Sequence, residues 1–265
     1  EKVILNNTRL PFINLSNYTF QTLLNDPDNI RKNFITYLNS YSKDVREIME
    51  NFEYYQEIDN LDKKNLLYQV IKEFSIIDFH PDTVDNMQMG YIFEEIIRKF
   101  KENAEAGDHY TPREVITLCV ELMLNEDNKE LRTPGKVITL ADFCCGTGGM
   151  LSVGESYIKK LNQNAQVKVF GQDINPESYA ICKSDMLIKG EEVNNIKLRN
   201  TLTDDGFSNE TFRYLITNPP FGVDWKTIKS EIEDEHKSKG FDGRFGAGLP
   251  RTSDGQLLFL LNMIS

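Results

Sequence analysis

The chain has 265 residues, enough for one large domain or two modest ones with buried cores. Its composition, 40% hydrophobic with 27% charged and 11% aromatic, is that of a globular protein and excludes collagen-like, coiled-coil and disordered chains. The formal net charge of -11 leaves no surplus of Lys and Arg for an autonomous tight grip on nucleic-acid phosphates, so a partner or a local patch would have to supply one.

The sequence holds no apolar run of about 18 residues, so a membrane span is not expected. Its first residues, Glu1 to Asn6, lack the charged, apolar and small-residue regions of a secretory signal. It begins without Met and stops at Ser265 within a helical pattern, and is therefore expected to be a piece of a longer chain. Four cysteines, Cys119, Cys144, Cys145 and Cys182, form no CxxC pair. With only His80, His109 and His236 beside them, no metal-ligand spacing arises and no metal is expected. Cys119 and Cys182 read as small buried hydrophobes, a usage that suits a reducing cytoplasm.

In chain order, three helix-like stretches come first: Ile30 to Phe52, Lys63 to Ile77, and Met87 to Lys101. Their apolar residues recur at spacings of three and four, the mark of one buried helical face. Turns at 25–28 and 80–82 separate them, and residues 1–107 are expected to form a helical N-terminal domain.

Residues 108–265 follow a different grammar. A helix is expected from Arg113 to Leu124, with Thr111 as its cap and Pro112 at its first position. Strands follow at Lys136 to Ala141, Val167 to Phe170, Ile196 to Leu198 and Tyr214 to Thr217. Helices Met150 to Leu161 and Pro176 to Ile188 lie between the first three strands. That alternation implies an α/β fold, a Rossmann-like parallel sheet covered on both faces. Residues 222–254 read as a long polar, glycine-rich loop, functional or disordered, and Leu257 to Ile264 begins a further helix.

Asp142-Phe-Cys-Cys-Gly146-Thr147-Gly148-Gly149 stands at the carboxyl end of the first strand, where open parallel sheets bind ligands. Glycines there let backbone approach a ligand, and the helix N-terminus behind them favours electron-rich groups. Asp173, after the second strand and before Ile174, is placed to accept the ribose hydroxyls of an adenosine. The two features together point to an adenosine-containing cofactor. Asp142 favours S-adenosylmethionine over a dinucleotide, because an acid beside the glycine turn suits an amino group better than a pyrophosphate.

After the fourth strand comes Asn218-Pro219-Pro220-Phe221, whose prolines end strand pairing and stiffen the backbone. The Asn218 side-chain oxygen and the Pro219 carbonyl can accept both hydrogens of a planar NH2 group, while Phe221 stacks on the ring that bears it. Such a nitrogen is a poor nucleophile because its lone pair is delocalised. Two acceptors arranged for tetrahedral geometry localise that pair, and positioning supplies much of the catalysis without a strong base.

With these motifs the chain resembles the modification (methyltransferase) subunit of type I restriction-modification systems, among the adenine-N6 DNA methyltransferases. The resemblance runs through Met89 to Phe100, Gly107 to Val115, Asp142 to Gly149, Gly171 to Pro176, Asn218 to Phe221 and Gly248 to Pro250. It implies that Tyr110, Thr111 and Pro112 fold against the cofactor. Asn200 stands where many relatives have Asp; as an amide it can still bond adenine groups, but without charge. The resemblance further implies a cytoplasmic complex with DNA, a specificity subunit that reads sequence, and a restriction subunit. The target adenine would be flipped out of its duplex to meet Asn218 and Phe221. Trp225, Lys226, Lys229, Arg244, Phe245 and Arg251 of the 222–254 loop would close over it or touch phosphate, unless the loop is merely a solvated surface. A glutamine-N methyltransferase acting on protein, a nicotinamide-dependent oxidoreductase and a non-catalytic assembly subunit are the competing readings.

Overall fold

The computed structural model describes residues 11–80, 82–84, 88–90, 92–93, 95–96, 99 and 111–265. It divides into two compact units: Glu1–Phe100 with Lys183–Val193, and Lys101–Cys182 with Asn194–Ser265.

The first unit is built from short helices: α1 (Phe20–Leu23), α2 (Ile30–Asn39), α3 (Lys43–Asn51), α4 (Tyr54–Lys63) and α5 (Leu67–Ser75). Ile30, Phe34 and Leu38 recur at a spacing of four, so they line one side of α2 and pack with Leu23, Ile58, Leu67 and Ile71. The single helix expected from Ile30 to Phe52 is two helices. Tyr41 bridges to Asn14, and Ser42 N donates to the Ile13 carbonyl at 2.9 Å, which diverts the backbone out of the helical ladder. Left-handed residues end the next two helices, Glu53 at φ 52° before α4 and Asn65 at φ 56° before α5. The helix expected from Lys63 to Ile77 is therefore α5 alone from Leu67 to Ser75, and Lys63 instead ends α4, a helix that the spacing of apolar residues does not mark. Of the Met87 to Lys101 stretch, the described residues 88–90, 92–93, 95–96 and 99 are helical, and the others lie outside the described set.

The second unit holds four parallel strands, β1 (Val137–Asp142), β2 (Gln166–Asp173), β3 (Ile196–Leu198) and β4 (Tyr214–Leu215). Their order is β3-β2-β1-β4, so the direction of winding changes between β1 and β4. Helices α6 (Arg113–Asn125) and α8 (Gly149–Leu161) flank the sheet, with the short α7 (Asn128–Leu131) between them in sequence; α9 (Pro176–Lys189) follows β2, its residues from Lys183 on being counted with the first unit. Strand alternation assigns the two faces. Leu140 faces α8 so closely that a Cβ on Gly154 would lie 2.5 Å from its Cδ2. Ala141 faces the other way, into a cluster of Phe143, Phe170, Phe207 and Phe212 that closes that side.

The polar loop expected over 222–254 is instead ordered around a small core. It carries α10 (Lys229–Lys239) between two 3-10 turns and is followed by α11 (Gln256–Ile264). Trp225, Ile232 and Phe245 are buried there with Leu202 and Leu258. One apolar residue in α10 and two aromatics outside it suffice, because each lands on the same spot; no periodicity signals such an arrangement.

Candidate active site

Switch points of parallel sheets leave a crevice at the carboxyl ends of the strands, and here Asp142, Asp173 and the residues after β4 all emerge at that edge. Gly146 and Gly148 take φ values of 52° and 84°, which side chains beyond glycine rarely tolerate. Gly148 is also the N-cap of α8, and a Cβ on it would lie 2.7 Å from Cys182 Sγ. The turn is tied to β2 by Cys145 N, which donates to the Gln172 carbonyl at 3.1 Å. No side chain caps α8, so its first amides point to the edge of the sheet without a side-chain acceptor. Thr147 and Gly149 are half-buried within this turn.

Asp173 braces the same turn. Its Oδ2 accepts from Gly146 N and its Oδ1 from Asn175 N, both at 2.8 Å. Carboxylate oxygens carry further lone pairs, so these bonds orient the group without exhausting it. Ile174 beside it is 66% exposed, an apolar surface at the rim.

Asp142 is 2% exposed, and its Oδ1 accepts from Cys144 N at 3.0 Å. Burial pushes its carboxyl up to about 7, with a smaller push from the Asp173 charge. The Cys144 amide and the Thr217 hydroxyl offset part of that rise. The hydroxyl itself is buried and has no partner at ordinary hydrogen-bond geometry.

After Leu215, Ile216 N still donates to the Ala141 carbonyl at 3.0 Å, and then the two prolines end the ladder. Asn218 Nδ2 donates to Thr111 Oγ1 at 3.0 Å. That bond fixes the carboxamide and leaves Oδ1 as its accepting end. Thr111 is thus no helix cap: Pro112 occupies the cap position of α6 with φ -56° and ψ 140°, and no side chain bonds the first turn. Phe221 is 62% exposed next to this group. Tyr110 lies outside the described residues.

Asn200 serves the backbone. Its Oδ1 accepts from Leu202 N at 2.9 Å and its carbonyl from Asp204 N at 2.8 Å, so the side chain closes a turn. Its amide nitrogen and the second lone pair of Oδ1 remain to meet a ligand.

Three residues expected to reach a base or phosphate from the 222–254 segment point inward instead. Trp225 and Phe245 are buried. Arg244 binds Glu235 at 2.6 Å, the Thr201 and Leu202 carbonyls at 2.9 Å, and Asn262 Oδ1 at 2.8 Å. Lys226 lies 3.5 Å from Asp224, and Lys229 lies 3.4 Å from Glu233. Arg251 is exposed.

Two contributors escaped the reading of the sequence. Gln172, fully buried, donates to Thr201 Oγ1 at 3.0 Å and accepts from Gly206 N at 3.0 Å, holding the turn after β3 against β2. Its only signal was an amide immediately before the strand-end acid. Thr217 is the other: the expected strand Tyr214 to Thr217 ends at Leu215, and a threonine at the end of an expected strand gives no signal of its own.

The arrangement has known counterparts. Residues 84–265 match the model of the N-6 DNA Methylase family, and residues 2–74 match the HsdM N-terminal domain. The type I restriction enzyme MjaIX methylase subunit of Methanocaldococcus jannaschii is 27% identical over 201 residues, 73% of this chain and 33% of that protein. The type I restriction enzyme EcoEI methylase subunit of Escherichia coli is 32% identical over 166 residues, 59% of this chain and 32% of that protein. The chain therefore spans about a third of the length of these curated relatives. Among solved structures, the type I restriction-modification system methyltransferase subunit of Streptococcus thermophilus superposes with a TM-score of 0.70 at 21% identity. That match covers 99% of this chain and 55% of the other, and shows a shared fold. With a family match across 84–265, more than half of its length, the chain belongs to the N-6 DNA methylase family.

Proposed function

We propose that this chain binds S-adenosylmethionine and carries the catalytic centre for methylating the N6 amine of a flipped adenine in DNA. It would do so as the modification subunit of a type I restriction-modification complex. The observation that carries the reading is the Asn218 carboxamide, pinned by Thr111 with its oxygen left to accept, at the same sheet edge as Asp142, Asp173 and the glycine turn.

The residues at this edge fit such a cofactor. Gly146 has open space where a Cβ would stand, so a ligand can come close to the backbone there, while Gly148 lacks a Cβ because one would strike the buried Cys182. Asp173 retains acceptor capacity for two ribose hydroxyls, and Ile174 offers an apolar face for an adenine ring. Asp142 stands where an ammonium group would be welcome. When bound, the cofactor supplies an electrophilic methyl group on a sulfonium that leaves as a neutral thioether.

The protein's own part is then positional. Asn218 Oδ1 and the Pro219 carbonyl accept the two N–H groups of the target amine and draw its lone pair out of conjugation. The Thr111 bond keeps the carboxamide from rotating its nitrogen into that place. Phe221 stacks on the flipped ring, and the prolines hold backbone and side-chain acceptors in fixed relation. No general base is needed for the transfer itself.

The acidic balance of -11 fits an enzyme whose grip on DNA comes from the assembly, with a specificity subunit reading the sequence and a restriction subunit completing the system. The cysteine usage suits the cytoplasm. We assign 108–265 to catalysis, and 1–107 to contacts with a partner or with DNA.

Calorimetric titration with S-adenosylmethionine, with NAD as control, tests the cofactor assignment. Saturable binding of the former alone is the expected result, and binding of NAD instead would overturn it. Asp173→Ala should weaken binding about 10- to 100-fold, the worth of one or two hydrogen bonds to a charged group. Methyl transfer to DNA is then measured after a specificity subunit is added.

A further inference from the structure

The helical unit carries an apolar groove that its own core leaves unfilled. Helices α4 and α5 are joined by a tight turn, in which Leu66 N donates to the Leu61 carbonyl at 2.9 Å past left-handed Asn65, so the two form a hairpin. On α4, Tyr54, Glu57, Ile58 and Leu61 follow the spacing of one helical face. On α5, Leu67, Val70, Ile71 and Phe74 repeat that spacing. The two faces line a cavity of about 210 Å³, with Phe34 of α2 beneath them in the core.

Each face is only half used in folding. Ile58, Leu67 and Ile71 are buried with Phe34. Tyr54 and Phe74, from the same two faces, are 41% and 51% exposed, and Glu57 is exposed as well. A dry apolar space of about 150 Å³ already takes up benzene, so this one has room for a large side chain from another helix. Two apolar helix faces set round an opening accept a third helix, whose residues at the same spacing enter as knobs.

Charge selects the kind of helix. Among the described residues that line the cavity, Glu57 alone is charged. Residues 11–80 as a whole hold eleven Asp and Glu against seven Lys and Arg. Apolar lining and acidic balance both disfavour nucleic acid. An acidic helix would be repelled, and a basic one attracted.

We infer that the α4–α5 groove is a docking site for a basic amphipathic helix of a partner protein, which places one large apolar side chain in the cavity and a Lys or Arg against Glu57. This site is independent of the cofactor reading, since none of its residues belongs to the sheet edge. It gives this face of the N-terminal unit to protein rather than to DNA.

The probes are synthetic helical peptides of about 18 residues, roughly five turns, with Leu along one face and Lys on the other. They differ only in whether Leu, Phe or Trp stands at the central apolar position. A peptide of scrambled order, one with Glu in place of Lys, and a DNA duplex are the controls. Each is titrated into the whole chain while the methyl resonances of Leu61, Val70 and Ile71 are followed. At least one Lys peptide should shift all three saturably, and the controls should leave them in place. Glu57→Lys, a surface change, should weaken that peptide about tenfold. Val70→Phe, which occupies the space from within, should weaken it at least as much, and the Glu57 variant keeps the test sound if the cavity variant fails to fold. Equal binding of the scrambled or the Glu peptide, shifts caused by the duplex, or no shift with any peptide overturns the inference. Shifts that grow with protein concentration alone overturn it too, because they would give the groove to a second copy of this chain.

Discussion

The carboxyl edge of the sheet and the segment at 222–254 are both polar and rich in turn residues, and they use that polarity in opposite ways. At the edge, polar groups are held but left short of partners. Among the described residues, Asn218 Oδ1 has no hydrogen-bond donor, the buried Thr217 hydroxyl has no partner at ordinary geometry, and Asp142 accepts through Oδ1 alone. In 222–254 the inward-pointing polar groups Arg244 and Trp225 Nε1 are bonded within the protein. Arg244 serves Glu235, two carbonyls and Asn262, and Trp225 Nε1 donates to the Arg251 carbonyl at 2.9 Å. Folding alone favours the second pattern, because unmet buried polar groups cost stability. Unmet capacity gathered at one edge is what a ligand site looks like before its ligand arrives.

The sharpest way to break this contrast is to remove one group from each region. Asn218→Ala should cut methyl transfer about 10³-fold or more, comparable to losing a donor aimed at a transition state. Its thermal midpoint and cofactor affinity should barely move. Lost affinity with intact turnover would contradict the role given to it. Arg244→Ala should do the reverse, costing about 3 kcal/mol of stability, because it strands Glu235 and two buried carbonyls. Denaturant unfolding measures that cost. A stable Arg244→Ala protein that had lost DNA affinity would return Arg244 to the interface.

Asp142 tests the idea that the edge holds strain for function, and the sign can be worked out. Its folded carboxyl lies at about 7 and its ordinary value is 3.8. The protonated, buried form is therefore favoured by folding below about pH 4, and that advantage is lost as pH rises through about 7. Asp142→Asn is neutral at every pH and can still accept from the Cys144 amide. It should match the parent in acid and exceed it by a few kcal/mol at most in mild alkali. Melting temperatures compared at about pH 4 and about pH 8 read this directly, and a constant difference would mean that Asp142 is not held against its charge.

What the sequence made legible follows from the same contrast. The strands, the glycine turn and the strand-end acids are local: each is marked by residues next to one another, and β1, β2 and β3 lie where alternation and turn chemistry placed them. The break between α2 and α3 was not legible, because it depends on Asn14, far away in sequence, pairing with Tyr41. Nor was the inward turn of Arg244, which needs Glu235, Thr201 and Asn262 to converge. The Thr111 contact shows the limit within the site. Thr-Pro before a helix is a good local cap signal, yet Asn218 arrives from β4 and takes the hydroxyl as its anchor. Long-range partners decided each of these cases.

The smallest effect is the most discriminating between the two regions. Phe221 and Phe245 are both aromatics near the end of the sheet, one 62% exposed and the other fully buried. An exposed ring contributes little to folding, so Phe221→Ala should change unfolding free energy by no more than about 0.5 kcal/mol. If the ring stacks on a flipped base, its loss should nonetheless slow methylation about tenfold, within the range of base-aromatic stacking, and Phe221→Trp should recover most of it. A single-stranded substrate, already unstacked, must still meet the same ring, so the defect should persist there. A defect that vanished on single-stranded DNA would assign Phe221 to opening the duplex rather than to holding the base. The same experiment with Phe245→Ala is expected to lose the fold of 222–254 first, since its ring packs on Leu202, Trp225, Ile232 and Leu258.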